Sequence, residues 1–233
     1  PSGTLKCSSS CKYDTSGCVR STTGGGGTTT TIPTKGLIAY YSFDDGTAKD
    51  GSGNKYDGTL NGNVKSVTGK FGKAFEFDGN GDYIKLGDVS SVEGINAITV
   101  SAWFKSKVST TVNSVYIIAK SSNNIGSLDS SFRLSWQSDE KYAFDVTSGN
   151  KMGRAVSNIP VKNAAWHHVV GVLSNGKVSL YIDGVKQNSV ASLSGSIKNT
   201  VQSLTIGSTG SRSPLGITDE VRIWNRALSD AEV

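Results

Sequence analysis

From residue 36 onward, apolar and polar positions alternate with a period of two. Over 98–105, Ile98, Val100, Ala102 and Phe104 alternate with Thr99, Ser101, Trp103 and Lys105. Successive strand side chains point to opposite faces, so this pattern predicts a strand with one face in a core. The same reasoning predicts strands over 37–43, 74–77, 83–86, 115–120, 131–137, 141–147, 166–174, 177–183, 203–207 and 216–224. Asn175-Gly176 and Asp183-Gly184 are tight-turn signals, and Asp78-Gly79-Asn80-Gly81-Asp82 separates two of the strands. Helical periodicity is nearly absent. Ser229 to Glu232 has the spacing of a capping box. No repeat of 20 to 50 residues is evident. Many short strands at regular spacing predict two antiparallel sheets packed face to face.

Composition adds organisation to this picture. The 233 residues suffice for one large all-β domain, at 36–233. Residues 21–35 are rich in Thr and Gly and read as a flexible linker. Residues 1–20 hold all three cysteines, Cys7, Cys11 and Cys18. A zinc site wants a fourth ligand, and none is near in sequence. A disulfide-bearing extracellular module is the better reading. Pro1 is not a native start, so an export signal is expected upstream. Lys plus Arg is 24 and Asp plus Glu 19, a net +5 without a basic run, which speaks against nucleic acid. That charge permits an anionic polysaccharide partner without indicating one. No apolar run is long enough to span a membrane.

Five segments carry a resemblance. They are 36–44 (Gly-Leu-Ile-Ala-Tyr-Tyr-Ser-Phe-Asp), 75–84 with its Phe-Glu-Phe-Asp-Gly start, 166–172 (Trp-His-His-Val-Val-Gly-Val), 178–184 (Val-Ser-Leu-Tyr-Ile-Asp-Gly) and 219–229, which opens Asp-Glu-Val-Arg-Ile-Trp. In this order they resemble the laminin-G-like and pentraxin-like domains of the concanavalin A-like lectin and glucanase superfamily. The resemblance implies an all-β, two-sheet antiparallel jelly-roll sandwich. It implies a binding module, most often for a glycan, that belongs to a larger secreted or cell-surface protein with other domains. It also implies a structural calcium ion, held by Asp50, Asn54 and Asp219 with Asp44 or Glu220 contributing. Hard oxygen donors in a glycine-rich loop suit calcium, although the spacing is not that of an EF-hand. Residues 2–18 resemble the tail of the small cysteine-rich repeats of secreted microbial proteins.

A sugar site needs an aromatic face beside planar polar groups. Trp103, Trp166 and Trp224 lie inside strand motifs and are expected in packing. Trp136 closes a strand beside a polar hairpin and is expected near the sheet rim. Arg133 and Gln137 share one face of that strand. Tyr142 and Asp145 on the next strand join the candidate set, with Arg154 and Tyr116 as further possibilities. An exposed Trp136 favours a sugar ligand, and a buried one favours a protein-contacting or structural domain. His167 and His168 are adjacent on a strand, point to opposite faces and cannot share a metal, so a structural role is expected. Asp219-Glu220 is contiguous and diverges for the same reason. The paired carboxylates of a glycosidase are missing, as are other catalytic motifs, so the domain is expected to be no enzyme. The partner is then a glycan, with a protein as the alternative.

Overall fold

The computed structural model describes residues 32–107, 114–122, 128–161, 164–188, 190–208 and 213–233. The three cysteines and most of the linker lie outside the described residues. The chain divides into two units, Pro1–Thr34 and Lys35–Val233, and every element named below belongs to the second.

Sixteen strands are present among the described residues, with one short 3-10 turn at Ser90–Val92. One sheet is built from β1 (Leu37–Tyr41), β3 (Lys65–Thr68), β4 (Lys73–Asp78), β6 (Ile98–Ser106), β11 (His167–Ser174), β12 (Lys177–Ile182), β13 (Val185–Lys186), β14 (Ala191–Ser192) and β16 (Leu215–Trp224). Its main path runs β13-β12-β11-β6-β16-β4-β3, with β1 pairing β16 and β14 pairing β12. The second sheet runs in the order β10 (Lys151–Val156), β9 (Tyr142–Ser148), β8 (Ser130–Trp136), β7 (Val115–Ser121), β15 (Leu204–Gly207), β5 (Tyr83–Gly87), β2 (Thr59–Asn61). Every pairing is antiparallel, and the molecule is the expected jelly-roll sandwich.

The alternation places each core. Ile98, Val100, Ala102 and Phe104 of β6 face Phe132, Leu134 and Trp136 of β8 and Phe144 and Val146 of β9 in one buried cluster. The sheets come close together at Gly171, where a Cβ would stand 2.2 Å from the Phe144 ring. Asn175-Gly176 and Asp183-Gly184 adopt the two consecutive positive φ values of a tight hairpin turn, as expected. The first strand stops at Tyr41, two residues early, because Phe43 takes a left-handed backbone with φ 60° and turns the chain. Five strands were not expected: β2, β3, β10, β13 and β14. The first two bury almost no side chain, so their sequences lack an apolar face.

Candidate ligand-binding face

The strand registers of the second sheet align seven residues in one row across it. Thr59 pairs with Lys85, Lys85 with Thr205, Thr205 with Ala119, Ala119 with Arg133, Arg133 with Asp145 and Asp145 with Arg154. Their strand neighbours Ile84, Leu86, Ile206, Leu134, Phe144 and Val146 are in the core, so the row lies on the outer face. At strand spacing of ~4.8 Å the row spans roughly 29 Å.

The β8–β10 end of the row carries a polar network. Arg133 donates from Nε to Ser121 Oγ at 2.8 Å, and its guanidinium lies 5.7 Å from the Tyr116 ring centre. Arg154 Nε sits 3.5 Å from Asp145 Oδ1, and its Nη2 donates to Gln137 Oε1. Ser114 Oγ donates to the same Gln137 oxygen at 3.1 Å, while Gln137 Nε2 donates to Ser135 Oγ at 2.6 Å. Arg133, Asp145 and Tyr116 are 3%, 4% and 5% exposed, whereas the Arg154 side chain is 40% exposed. Burial pushes the Asp145 carboxyl up, against the lowering charges of Arg154 and Arg133. Its Oδ1 is buried without a hydrogen bond. Arg133 and Asp145 therefore form a rigid base that orients Arg154 and Gln137 toward solvent. Tyr83 adds a half-buried ring on the same face, two residues from Lys85.

Two candidate residues belong elsewhere. Trp136 is 1% exposed and Tyr142 2%, both on the core side of their strands. The expectation of Trp136 at the rim fails because it shares a face with Phe132 and Leu134, which the core claims. Tyr142 packs edge-on against Phe104, and burial raises its hydroxyl above the ordinary range. Trp103 departs from the packing expectation in the other direction. It is on the outer face of the first sheet, stacked 5.2 Å from His168 with Lys70 4.4 Å from its ring centre. Burial, then the nearby Arg222 charge, lowers His168 to about 4. His167 bonds Asp183 at 2.7 Å.

The five expected calcium donors do not converge. Asp50 holds a turn: its oxygens accept from Tyr40 N–H (3.1 Å), Ser52 N–H (2.8 Å), Ser52 Oγ (2.8 Å) and Tyr56 N–H (3.0 Å). Asn54 Nδ2 donates to Ile38 O at 2.8 Å, and Asp44 Oδ1 accepts from Lys73 N–H at 3.1 Å. Glu220 bonds Arg222 and the Tyr40 hydroxyl. Among the described residues no three His, Cys, Asp or Glu side chains form a metal cage. The donor set as arranged does not fit a shared ion. Asp219 stands apart, fully buried, with Oδ2 accepting from Phe71 N–H at 3.0 Å and Oδ1 unbonded.

A family model described as the concanavalin A-like lectin/glucanases superfamily matches residues 78–233. The chain belongs to that superfamily. No curated protein matches it. Among solved structures, domain 4 of AbnA, a GH43 extracellular arabinanase from Geobacillus stearothermophilus, solved in complex with arabinotriose, is 24% identical with a TM-score of 0.66. That match covers 84% of this chain and 95% of the domain. The binding domain of Paraclostridial Mosquitocidal Protein 1 is 17% identical with a TM-score of 0.71, covering 85% and 51%. The binding domain of Botulinum Neurotoxin DC in complex with SialylT is 16% identical with a TM-score of 0.65, covering 85% and 50%. The chain thus spans about half of each toxin domain. At these identities the matches show the shared fold.

Lys85, Thr205 and Arg154 were absent from or marginal to the sequence-based candidate set. Each lies on the polar side of a strand, but only the register unites them.

Proposed function

We propose that this is a non-catalytic carbohydrate-binding module and that its site is the outer face of the seven-stranded sheet. The observation that carries the reading is the Arg133–Asp145–Arg154 row, with a buried, charge-paired base and a solvent-facing guanidinium held beside the Gln137 amide. Planar, pre-oriented hydrogen-bonding groups of this kind suit sugar hydroxyls, and their fixed positions lower the ordering cost of binding. The arabinotriose complex of the arabinanase domain and the SialylT complex of the toxin domain, both on this fold, support a sugar ligand. The extracellular arabinanase supports a secreted, multidomain parent for this chain. Asp145 is the sole acid among the seven residues of the row, so the row holds no carboxylate pair of the kind glycoside hydrolysis uses, which supports a binding role. Calcium contributes no step to this reading.

A second reading has one observation in its favour. Trp136 is buried, which favours a protein partner by the criterion set from the sequence. A groove of about 690 Å³ lined by Ile159, Val161, His167, Asp183, Val185 and Gln187 offers such a partner a surface, with Ile159 70% and Val185 64% exposed. One toxin binding domain on this fold was solved with rat synaptotagmin II.

A broad glycan array probed with the 233-residue chain and with Arg154→Ala tests the first reading. The expected result is binding to a defined sugar class that falls at least tenfold in the variant. Binding that Arg154→Ala leaves unchanged, or no binding from folded protein, overturns it.

A further inference from the structure

We propose that the side chains of Lys120 and Asp88 join in an amide bond, with Glu93 as the proton carrier. Lys120 pairs with Leu204 on one side and Phe132 on the other, and both are core residues. Its stem therefore lies on the core side of β7, and none of its side chain is exposed. Nζ ends against three oxygens: Asp88 Oδ1 at 2.5 Å, Gln202 O at 2.8 Å and Glu93 Oε1 at 3.5 Å. Gly87, opposite Leu204, takes a left-handed backbone with φ 77°, and the chain leaves β5 there, which brings Asp88 beside Nζ. Glu93 is held in place by Ser131 Oγ (3.0 Å) and Thr200 N–H (2.7 Å), and its side chain is 8% exposed. An ion pair alone gives little reason to bury this lysine, because desolvation takes back much of the attraction. Nucleophile, carboxyl carbon and base of an amide-forming step are all within reach of one another.

The step is a condensation. Glu93 takes one proton from the Lys120 ammonium and passes it to the Asp88 carboxylate. The freed lone pair on Nζ attacks Asp88 Cγ, and the C–N bond forms as the C=O pair moves onto oxygen. Glu93 carries a second proton from Nζ to the hydroxyl, the carbonyl re-forms, and that Cγ–O bond breaks to release water. Nζ has lost two protons, the carboxyl one oxygen, and Glu93 is a carboxylate again. No oxidant or reductant is needed. Holding the groups in contact favours the amide, since well-oriented intramolecular reactions reach effective concentrations of ~10⁵–10⁸ M. The Lys120 side is dry, and the Asp88 side chain, 64% exposed, gives the released water a way out. The sheet order β7-β15-β5 means that the bond ties the exit of β5 to β7 across β15. It closes a covalent loop from 88 to 120 and restricts the unfolded chain as a disulfide does.

Mass spectrometry of the 233-residue chain, folded and then denatured, tests this. The expected mass is that of the sequence less one water, and a tryptic digest should hold two peptides joined through Asp88 and Lys120. Lys120→Met and Asp88→Ala should each restore the full mass. Glu93→Gln keeps an acceptor oxygen but cannot carry the proton, and should form the cross-link at least ~tenfold more slowly. The full sequence mass in folded parent protein overturns the proposal. So does a lost water that fragmentation places at Asp183-Gly184, where a succinimide has the same mass, with Lys120 unmodified. Cross-linking of Glu93→Gln at the parent's rate removes Glu93 and with it the step as written. Should a variant fail to fold, the mass and peptide map of the parent decide alone.

Discussion

Replacing Asp219 with Asn should make the protein more stable at pH 8 and leave it nearly unchanged at pH 5. Asp219 is fully buried on β16, where the register shifts between Asp219 and Arg222 and Glu220 takes a φ of 52°. Burial pushes its carboxyl from the ordinary 3.8 to about 7, the Phe71 N–H bond pulls it back, and the Glu220 charge adds to the rise. The folded-state value is raised, so between these limits the native protein binds the extra proton. Stability is then fully present below pH 4 and is lost as pH rises toward 7. The full change is on the order of 4 kcal/mol. Asn keeps the shape and stays neutral, so its advantage over Asp should grow by up to that amount across the window. An amide left without an acceptor at the Oδ1 position costs ~1–3 kcal/mol at every pH, which offsets the curve without flattening it. Urea unfolding of both proteins at pH 5, 6, 7 and 8 reads the difference. A difference constant within ~1 kcal/mol refutes the reasoning. So does an Asn variant that becomes relatively less stable as pH rises, since that is the signature of a charged Asp219 held by a cation.

Other substitutions probe the neighbouring claims. Asp50→Ala removes the acceptor of four hydrogen bonds and should cost ~2–4 kcal/mol in urea unfolding, and the loss should be equal in calcium and in chelator. A melting temperature that rises with calcium in the parent but not in the variant would restore the ion. Gly171→Ala forces a methyl into the Phe144 ring and should destabilise by ~1–3 kcal/mol or more; a change under ~0.5 kcal/mol would contradict the close approach of the sheets. Trp136→Phe should lower the melting temperature yet leave glycan affinity unchanged. Lost affinity in folded protein would put Trp136 at the site.

The strands legible from sequence are those with one apolar side. β6 and β8 alternate cleanly because one face meets the core, and their predicted and observed bounds agree within a residue. β2 and β3 were invisible because they cover little and bury little. The site was half legible. Arg133, Gln137 and Asp145 could be assigned to polar strand faces, and they do share one surface. Trp136 could not be placed by chemistry alone, since a tryptophan serves a rim or a core equally well and the pleat decided. Arg154 and Lys85 carry no local signal, being ordinary exposed cations until the register of seven strands sets them in line. The calcium expectation rested on one loop and one strand meeting, and Asp50 instead spends its oxygens on its own turn.

Amide chemical-shift mapping of the labelled 233-residue chain, titrated with the tightest glycan from the array, tests the central claim most directly. Shifts gathered on Lys85, Ala119, Arg133, Asp145, Arg154 and Thr205 are the predicted result. Shifts confined to the Ile159–Val185 groove, or to the other sheet, would contradict it.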